Sequence, residues 1–272
     1  KVTRFEDEHK HPMNIDSMTA DDLRVFADFL SSDYDISMNT IVTNMTLMRT
    51  VCNWVRKQGV TNNDPFFGYD MPKALYGTPY FLTIQERDQV LDADLTDDAE
   101  LAEYRDMFVF QCMVGCRHSD LVTFTPKNII DGVLEYIPIK TKGKLGDVVR
   151  VPLIPKAMAI LDGHDHGDDE PIFPKHYNFK FNDAIRRILK RAKVNRVVTV
   201  INPKTRLEEK KPISDVATSH LARRTFIGNL YRMVKDPDLV ASMSGHAKGS
   251  VAFARYRVID DDMKKSLVEL IQ

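Results

Sequence analysis

Residues 219–225 read Ser219-His220-Leu221-Ala222-Arg223-Arg224-Thr225. The stretch predicts a helix over about 219–233. On a helix His220 and Arg223 stand three apart and share one face. A histidine beside a fixed guanidinium suits a phosphate: the arginine grips oxygens through its fork of donors, and the histidine moves a proton. One such pair is weak on its own, because a solvated surface pair is the ordinary reading. Arg224 stands four from His220 and reads as a phosphate-backbone or structural contact.

Working outward, the next stretch is Gly115-Cys116-Arg117-His118-Ser119-Asp120-Leu121. Gly115 ends a helix expected over 99–114. Arg117 follows, and Asp120 lies three residues on, where a carboxylate can aim it. The plain alternative is a helix cap by Ser119 or Asp120 beside a surface arginine. Strand-like residues 133–141 and 148–153, joined through Gly143 and Gly146, predict a hairpin with Lys140 at the end of its first strand. Downstream come Gly245-His246 and Phe253-Ala254-Arg255-Tyr256. A tyrosine hydroxyl titrates near pH 10, so it attacks only where cations surround it. Alone, Tyr256 reads as a half-buried aromatic.

The rest of the chain divides near residue 75. Thr19 caps a helix to about residue 31, with Leu23, Phe26, Phe29 and Leu30 on its apolar side. A second helix over 37–57 repeats Ile41, Met45, Met48, Cys52 and Val55 at spacings of three and four, and Gly59 stops it. Trp54 reads as core. Turn residues then crowd 62–79, which places the domain boundary between 1–75 and 76–272. Thr83 with Glu86 makes a capping box. Further helices are expected over about 178–192 and from Asp236-Pro237 to Gly245. Residues 260–271 form an amphipathic tail.

The formal net charge of −1 hides an asymmetry. Residues 183–257 hold 17 Lys and Arg against 6 Asp and Glu. Such a basic segment is an electrostatic footprint for a polyanion, or a solvated face. Arg49, Arg56 and Lys57 are candidate phosphate contacts, although residues 1–77 carry 8 basic and 11 acidic side chains. Three cysteines, Cys52, Cys112 and Cys116, lack metal or disulfide spacing and read as buried thiols. The acidic loop with Asp162, His164, Asp165, His166, Asp168 and Asp169 reads as solvated, so no metal is expected. No apolar run is long enough to cross a membrane.

Together, GCRHSDL, the Lys140-Thr141 pair of the hairpin, SHLARRTF, SGH and FARY resemble, in that order, the tyrosine recombinase family of the phage integrase type. The resemblance covers about residues 78–271. Its wording is most similar to integrases of conjugative transposons and other mobile elements in Bacteroides-type bacteria. It implies a mainly α fold with small β-hairpins (α+β): a helical SAM-like core-binding domain over 1–75 and a catalytic domain over 76–272, closing as a C-shaped clamp on duplex DNA. It implies that Arg117 and Arg223 clamp the scissile phosphate and that Asp120 supports Arg117. Lys140 would protonate the leaving 5′-oxygen, ahead of Lys142 and Lys144. His220 would handle the tyrosine proton or bond a phosphate oxygen, His246 would complete the pocket, and Tyr256 would form a 3′-phosphotyrosine. Family members commonly place the tyrosine nine residues after the second histidine; here it follows at ten. No cofactor is implied. The resemblance also implies a homo-tetramer on two synapsed duplexes, with the tail docked on a neighbour and accessory DNA-bending or excision factors as further partners. The expected location is cytoplasmic, at the nucleoid. An N-terminal arm-binding domain, common in such proteins, is expected to have preceded Lys1. A type IB topoisomerase-like enzyme and an inactive DNA-binding regulator are the rival readings.

Overall fold

The computed structural model describes residues 1–33, 36–77, 79–141, 148–164, 167–175, 177–234, 236–246 and 268–269. The chain separates into two compact units. One takes in 1–77 with 199–209, the other 78–198 with 210–272.

The first unit is helical, with α1 over Val2–His9, α2 over Ala20–Ser32 and α3 over Met38–Lys57. Thr19 and Asp22 cap α2 reciprocally: each side chain accepts the other's backbone N–H. Leu23, Phe26, Phe29 and Leu30 of α2 pack with Ile41, Met45 and Cys52 of α3. Helix α1 lies ahead of the first expected helix. Its apolar side chains are only Val2 and Phe5, too few for a period. Phe5 is buried because Phe26 and Phe29 meet its ring edge-on, each at 5.3 Å between centroids. Trp54 corrects an expectation: it is 61% exposed, and Leu47 and Val51 are exposed with it. Helix α3 carries apolar residues on two faces, and its own period does not say which face α2 covers.

The second unit starts with α4 over Ile84–Leu91, opened by the Thr83–Glu86 capping box. Then follow α5 (Ala99–Val114), α6 (His118–Leu121), β1 (Ile129–Ile130), β2 (Val133–Tyr136), β3 (Val149–Pro152), α7 (Pro155–Asp162) and α8 (Asn178–Arg191). Strands β4 (Val197–Ile201) and β5 (Glu208–Pro212) pair, and α9 (Ile213–Val216), α10 (Ser219–Val234) and α11 (Pro237–Ser244) complete the described elements. The architecture is mainly helical with small antiparallel sheets. No described helix is long and apolar enough to cross a membrane.

Helix α5 is the axis of this unit. Every residue from Met107 to Val114 is buried, as expected of a helix covered all round, and α4, α7, α8 and α10 pack on it. All three cysteines are buried and free. The sheet runs β1-β2-β3 with Leu134 opposite Val151 and Tyr136 opposite Val149. Val149 and Val151 are buried while Arg150 and Pro152 face solvent, the period of a half-covered strand. Strand β2 ends five residues earlier than expected. Pro138 has no N–H to continue the ladder, so Lys140 sits in a 3-10 turn over Ile139–Thr141, not on a strand.

Gly115 ends α5 in the left-handed region, at φ 69°. A Cβ there would lie 2.2 Å from the Phe226 ring of α10. Gly115→Ala therefore combines backbone strain with overlap in a packed core, and is expected to cost about 3 kcal/mol or more. Urea unfolding measures it; a loss below about 1 kcal/mol would mean that Phe226 moves aside freely.

Candidate active site

Arg223 stands at the centre. It projects from α10 and is 1% exposed, the bulkiest of the fully buried side chains. Burying a guanidinium is costly unless its donors are used. Nη1 donates to the Gly115 carbonyl at 2.6 Å, an oxygen left over where α5 ends. Nη2 lies 3.0 and 3.1 Å from Nδ1 and Nε2 of His246. The two ring lone pairs diverge, so this nitrogen serves one of them and lies against the ring. Ser244 Oγ is 2.9 Å from Nδ1 and donates to the Val240 carbonyl at 2.8 Å. One tautomer satisfies this set: Nδ1–H donates to Ser244, and Nε2 accepts from Arg223. Burial first, then the charge of Arg223, with Arg117, His220 and Lys140 behind it, pushes the His246 pKa down to about 3. The imidazole is neutral.

The other sequence-predicted residues arrive from three directions. Asn182 and Asn178 of α8 hold the start of α10: the Ser219 N–H donates to Asn182 Oδ1 at 2.8 Å, and Ser219 Oγ to Asn178 Oδ1 at 3.2 Å. This fixes the exposed His220 at the first turn. Arg117, extended after Gly115, leads into α6. Its Nη1 is 4.0 Å from Oδ2 of buried Asp120. The other carboxylate oxygen accepts the Ile139 N–H at 2.9 Å. Asp120 thus joins the Arg117 turn to the turn that carries Lys140. Gly245 closes the arrangement: a Cβ there would stand 3.0 Å from Val149 and 3.1 Å from Pro138, so the end of α11 lies against the sheet. Arg223 touches His246, and Arg117, His220 and Lys140 all lie within electrostatic reach of that ring. Tyr256, Lys142, Lys144 and most of the amphipathic tail lie outside the described residues.

The peripheral candidates are placed differently. Arg224 lies over the Tyr80 ring at 5.2 Å, and Tyr80 donates to the Val216 carbonyl. In the first unit Arg49 and Lys57 are exposed on α3, while Arg56 pairs with Asp64. The basic face of α8 is partly compensated: Arg187 pairs with Asp98 at 2.7 Å, Lys190 with Asp215 at 2.8 Å, and Arg191 with Asp97. Sequence reasoning missed the Gly115 carbonyl and the Ser244 hydroxyl. Both stand inside motifs already read, but a backbone acceptor leaves no mark in a sequence.

The depressed His246 carries a pH signature. Unfolded, the ring takes a proton near pH 6.5; folded, only near pH 3. Between these values the unfolded chain binds the extra proton, so stability is lost as pH falls through 6.5 toward 3. Urea midpoints from pH 7.5 to 4.5 should fall less steeply in His246→Gln, by up to one proton's slope. Equal slopes in the two proteins would mean that His246 protonates freely in the folded state.

The sequence profile described as the phage integrase family matches residues 80–263. A comparison with curated protein sequences found no match. Among solved structures the chain is similar to a lambda integrase dimer bound to a COC′ core site, with TM-score 0.63 and 15% identity over 90% of this chain and 81% of that one. It is similar to the Tn1549 transposon integrase in complex with transposon right end DNA, with TM-score 0.64 and 16% identity over 94% and 86%. It is also similar to the XerH site-specific recombinase bound to difH substrate, with TM-score 0.62 and 14% identity over 99% and 76%. At these identities the likeness is one of fold. The profile spans both arginines, both histidines, Lys140 and Tyr256, and on that match the chain belongs to the phage integrase family, the tyrosine recombinases.

Proposed function

We propose that this chain cuts and rejoins duplex DNA at a specific site through a 3′-phosphotyrosine on Tyr256, to integrate or excise a mobile element. The observation that carries the reading is the buried Arg223, held between the Gly115 carbonyl and neutral His246, with Arg117, Lys140 and His220 gathered around it. Phosphoryl transfer asks for in-line positioning and neutralised charge. Two guanidiniums and an ammonium supply that charge, and the two imidazoles supply hydrogen-bonding groups. The likeness to a transposon integrase and the HLARRTF wording support the mobile-element role.

In the proposed reaction the Tyr256 oxygen attacks the scissile phosphorus and its proton passes to His220 or solvent. Arg117 and Arg223 hold the non-bridging oxygens as charge builds on them. The bond to the 5′-oxygen breaks, and Lys140 delivers a proton to that oxygen. Asp120 favours Lys140 for this task, because it pins the turn at Ile139. The phosphodiester energy is kept in the tyrosyl ester. An incoming 5′-hydroxyl then reverses the steps, and no nucleotide cofactor is consumed. The neutral imidazole of His246 accepts from Arg223 without adding a charge that would repel the arginines. DNA-bound integrases and recombinases of the same fold support duplex DNA as partner. A homo-tetramer on synapsed duplexes, with accessory DNA-bending or excision factors, is the assembly proposed.

Incubation with a nicked suicide duplex carrying the element's end should give a covalent protein–DNA adduct. Tyr256→Phe should abolish it, whereas an adduct that survives would move the nucleophile elsewhere. Arg117→Ala should slow its formation roughly 10²- to 10³-fold, the cost of one donor to a developing oxyanion. Strand exchange between two duplexes, against relaxation of a supercoiled circle alone, separates a recombinase from a topoisomerase-like enzyme. Binding without any adduct would mark an inactive regulator.

A further inference from the structure

Tyr136 closes β2 opposite Val149 and is 7% exposed. Its ring meets Phe124 edge-on, with centroids 4.9 Å apart. A phenylalanine would fill that space equally well, so the hydroxyl needs its own account. An unpaired buried hydroxyl costs about 1–3 kcal/mol. Burial pushes this phenol's pKa up, and Cys116, Arg223, Asp120 and Arg117 all act on it electrostatically. The neighbourhood holds two other buried polar atoms. Arg117 Nη1, Asp120 Oδ2 and Tyr136 OH each have no hydrogen-bond partner among the described residues. The first only donates, the second only accepts, and the third does either. The first two are 4.0 Å apart, too far for a direct bond and within reach of a shared solvent molecule.

We propose that Tyr136 is a positioning residue for strand cleavage: its hydroxyl, Arg117 Nη1 and Asp120 Oδ2 form one solvent-bridged unit that aims the Arg117 guanidinium at the scissile phosphate. The role in cleavage rests on the reading of the chain as a recombinase; the hydrogen-bonded unit does not. Tyr136 touches no reacting atom in this scheme and acts through Arg117. Asp120 takes part with one oxygen while the other holds Ile139, so the unit also ties the aim of Arg117 to the turn bearing Lys140.

Two measurements test it. The first needs no DNA. Urea midpoints are compared for the wild type, Tyr136→Phe, Asp120→Asn and the double variant. Members of one network give non-additive shifts; additive shifts overturn the proposal even if the protein cleaves DNA. The second uses single-turnover cleavage of the nicked duplex, with DNA affinity measured in parallel by anisotropy. Tyr136→Phe should slow cleavage roughly tenfold, as for a misaimed group, and leave affinity within about twofold, as expected of a residue with no direct DNA contact. In an Arg117→Lys background the same change should cost less than about twofold, because the guanidinium it aims is gone. Equal slowing in both backgrounds, or none, overturns the positioning role. A wild type that forms no adduct sinks the recombinase reading, and the unfolding cycle still decides whether the unit exists.

Discussion

A guanidinium sealed from water needs an acceptor that cannot move away, and in this protein the acceptor is backbone. The Gly115 carbonyl belongs to the last turn of α5, the most buried helix of its unit, and it takes the Arg223 donor at 2.6 Å. That one contact ties the end of α5 to the second turn of α10. Phe226, one turn further along α10, lies against Gly115 so tightly that only glycine fits. The left-handed turn at Gly115 then releases the chain in the direction that brings Arg117 round. Core packing and site geometry are the same set of contacts here.

Asp120 extends the arrangement to the sheet. One carboxylate, buried in a short helix, faces the Arg117 guanidinium with one oxygen and fixes the Ile139 backbone with the other. The sheet is small, three short strands, and would be a poor platform by itself. It is stiffened where it matters: α11 ends against Val149 and Pro138, and Asp120 holds the turn just beyond. Lys140 is exposed and flexible along its own stem, but its base is pinned.

Much of this was legible in the sequence where the signal is local. Thr83 with Glu86, Thr19 and Asp236-Pro237 announce helix starts, and each does cap one, because a cap is a bond between neighbours in sequence. The motifs holding Arg117, Lys140, His220, Arg223 and His246 led to the expectation that these residues share one region, and the first four all act electrostatically on His246. What stayed hidden depends on partners distant in sequence. Trp54 looked like core because period alone cannot choose between two apolar faces. Helix α1 has too few apolar residues to show a period, and Phe5 is buried by rings from α2. The early end of β2 was signalled by Pro138, whose missing N–H outweighs the strand-like residues around it. The net charge of residues 183–257 suggested a basic face open to a polyanion or to solvent, whereas α8 meets acids from elsewhere: Asp98 and Asp97, 89 and 94 residues upstream of Arg187 and Arg191, and Asp215 downstream of Lys190.

Those acids give α8 a character that its composition conceals. Arg187, Lys190 and Arg191 are each more than 40% exposed and each already holds a carboxylate. Exposed pairs of this kind are weak and exchange readily. A compensated cation also draws little from a distance, since long-range attraction follows the uncompensated field. The helix is therefore quiet toward a polyanion drifting past. A polyanion could use these cations only by displacing the carboxylates at contact range. Its charge acts as a filter on closeness of fit, and contributes little as a beacon.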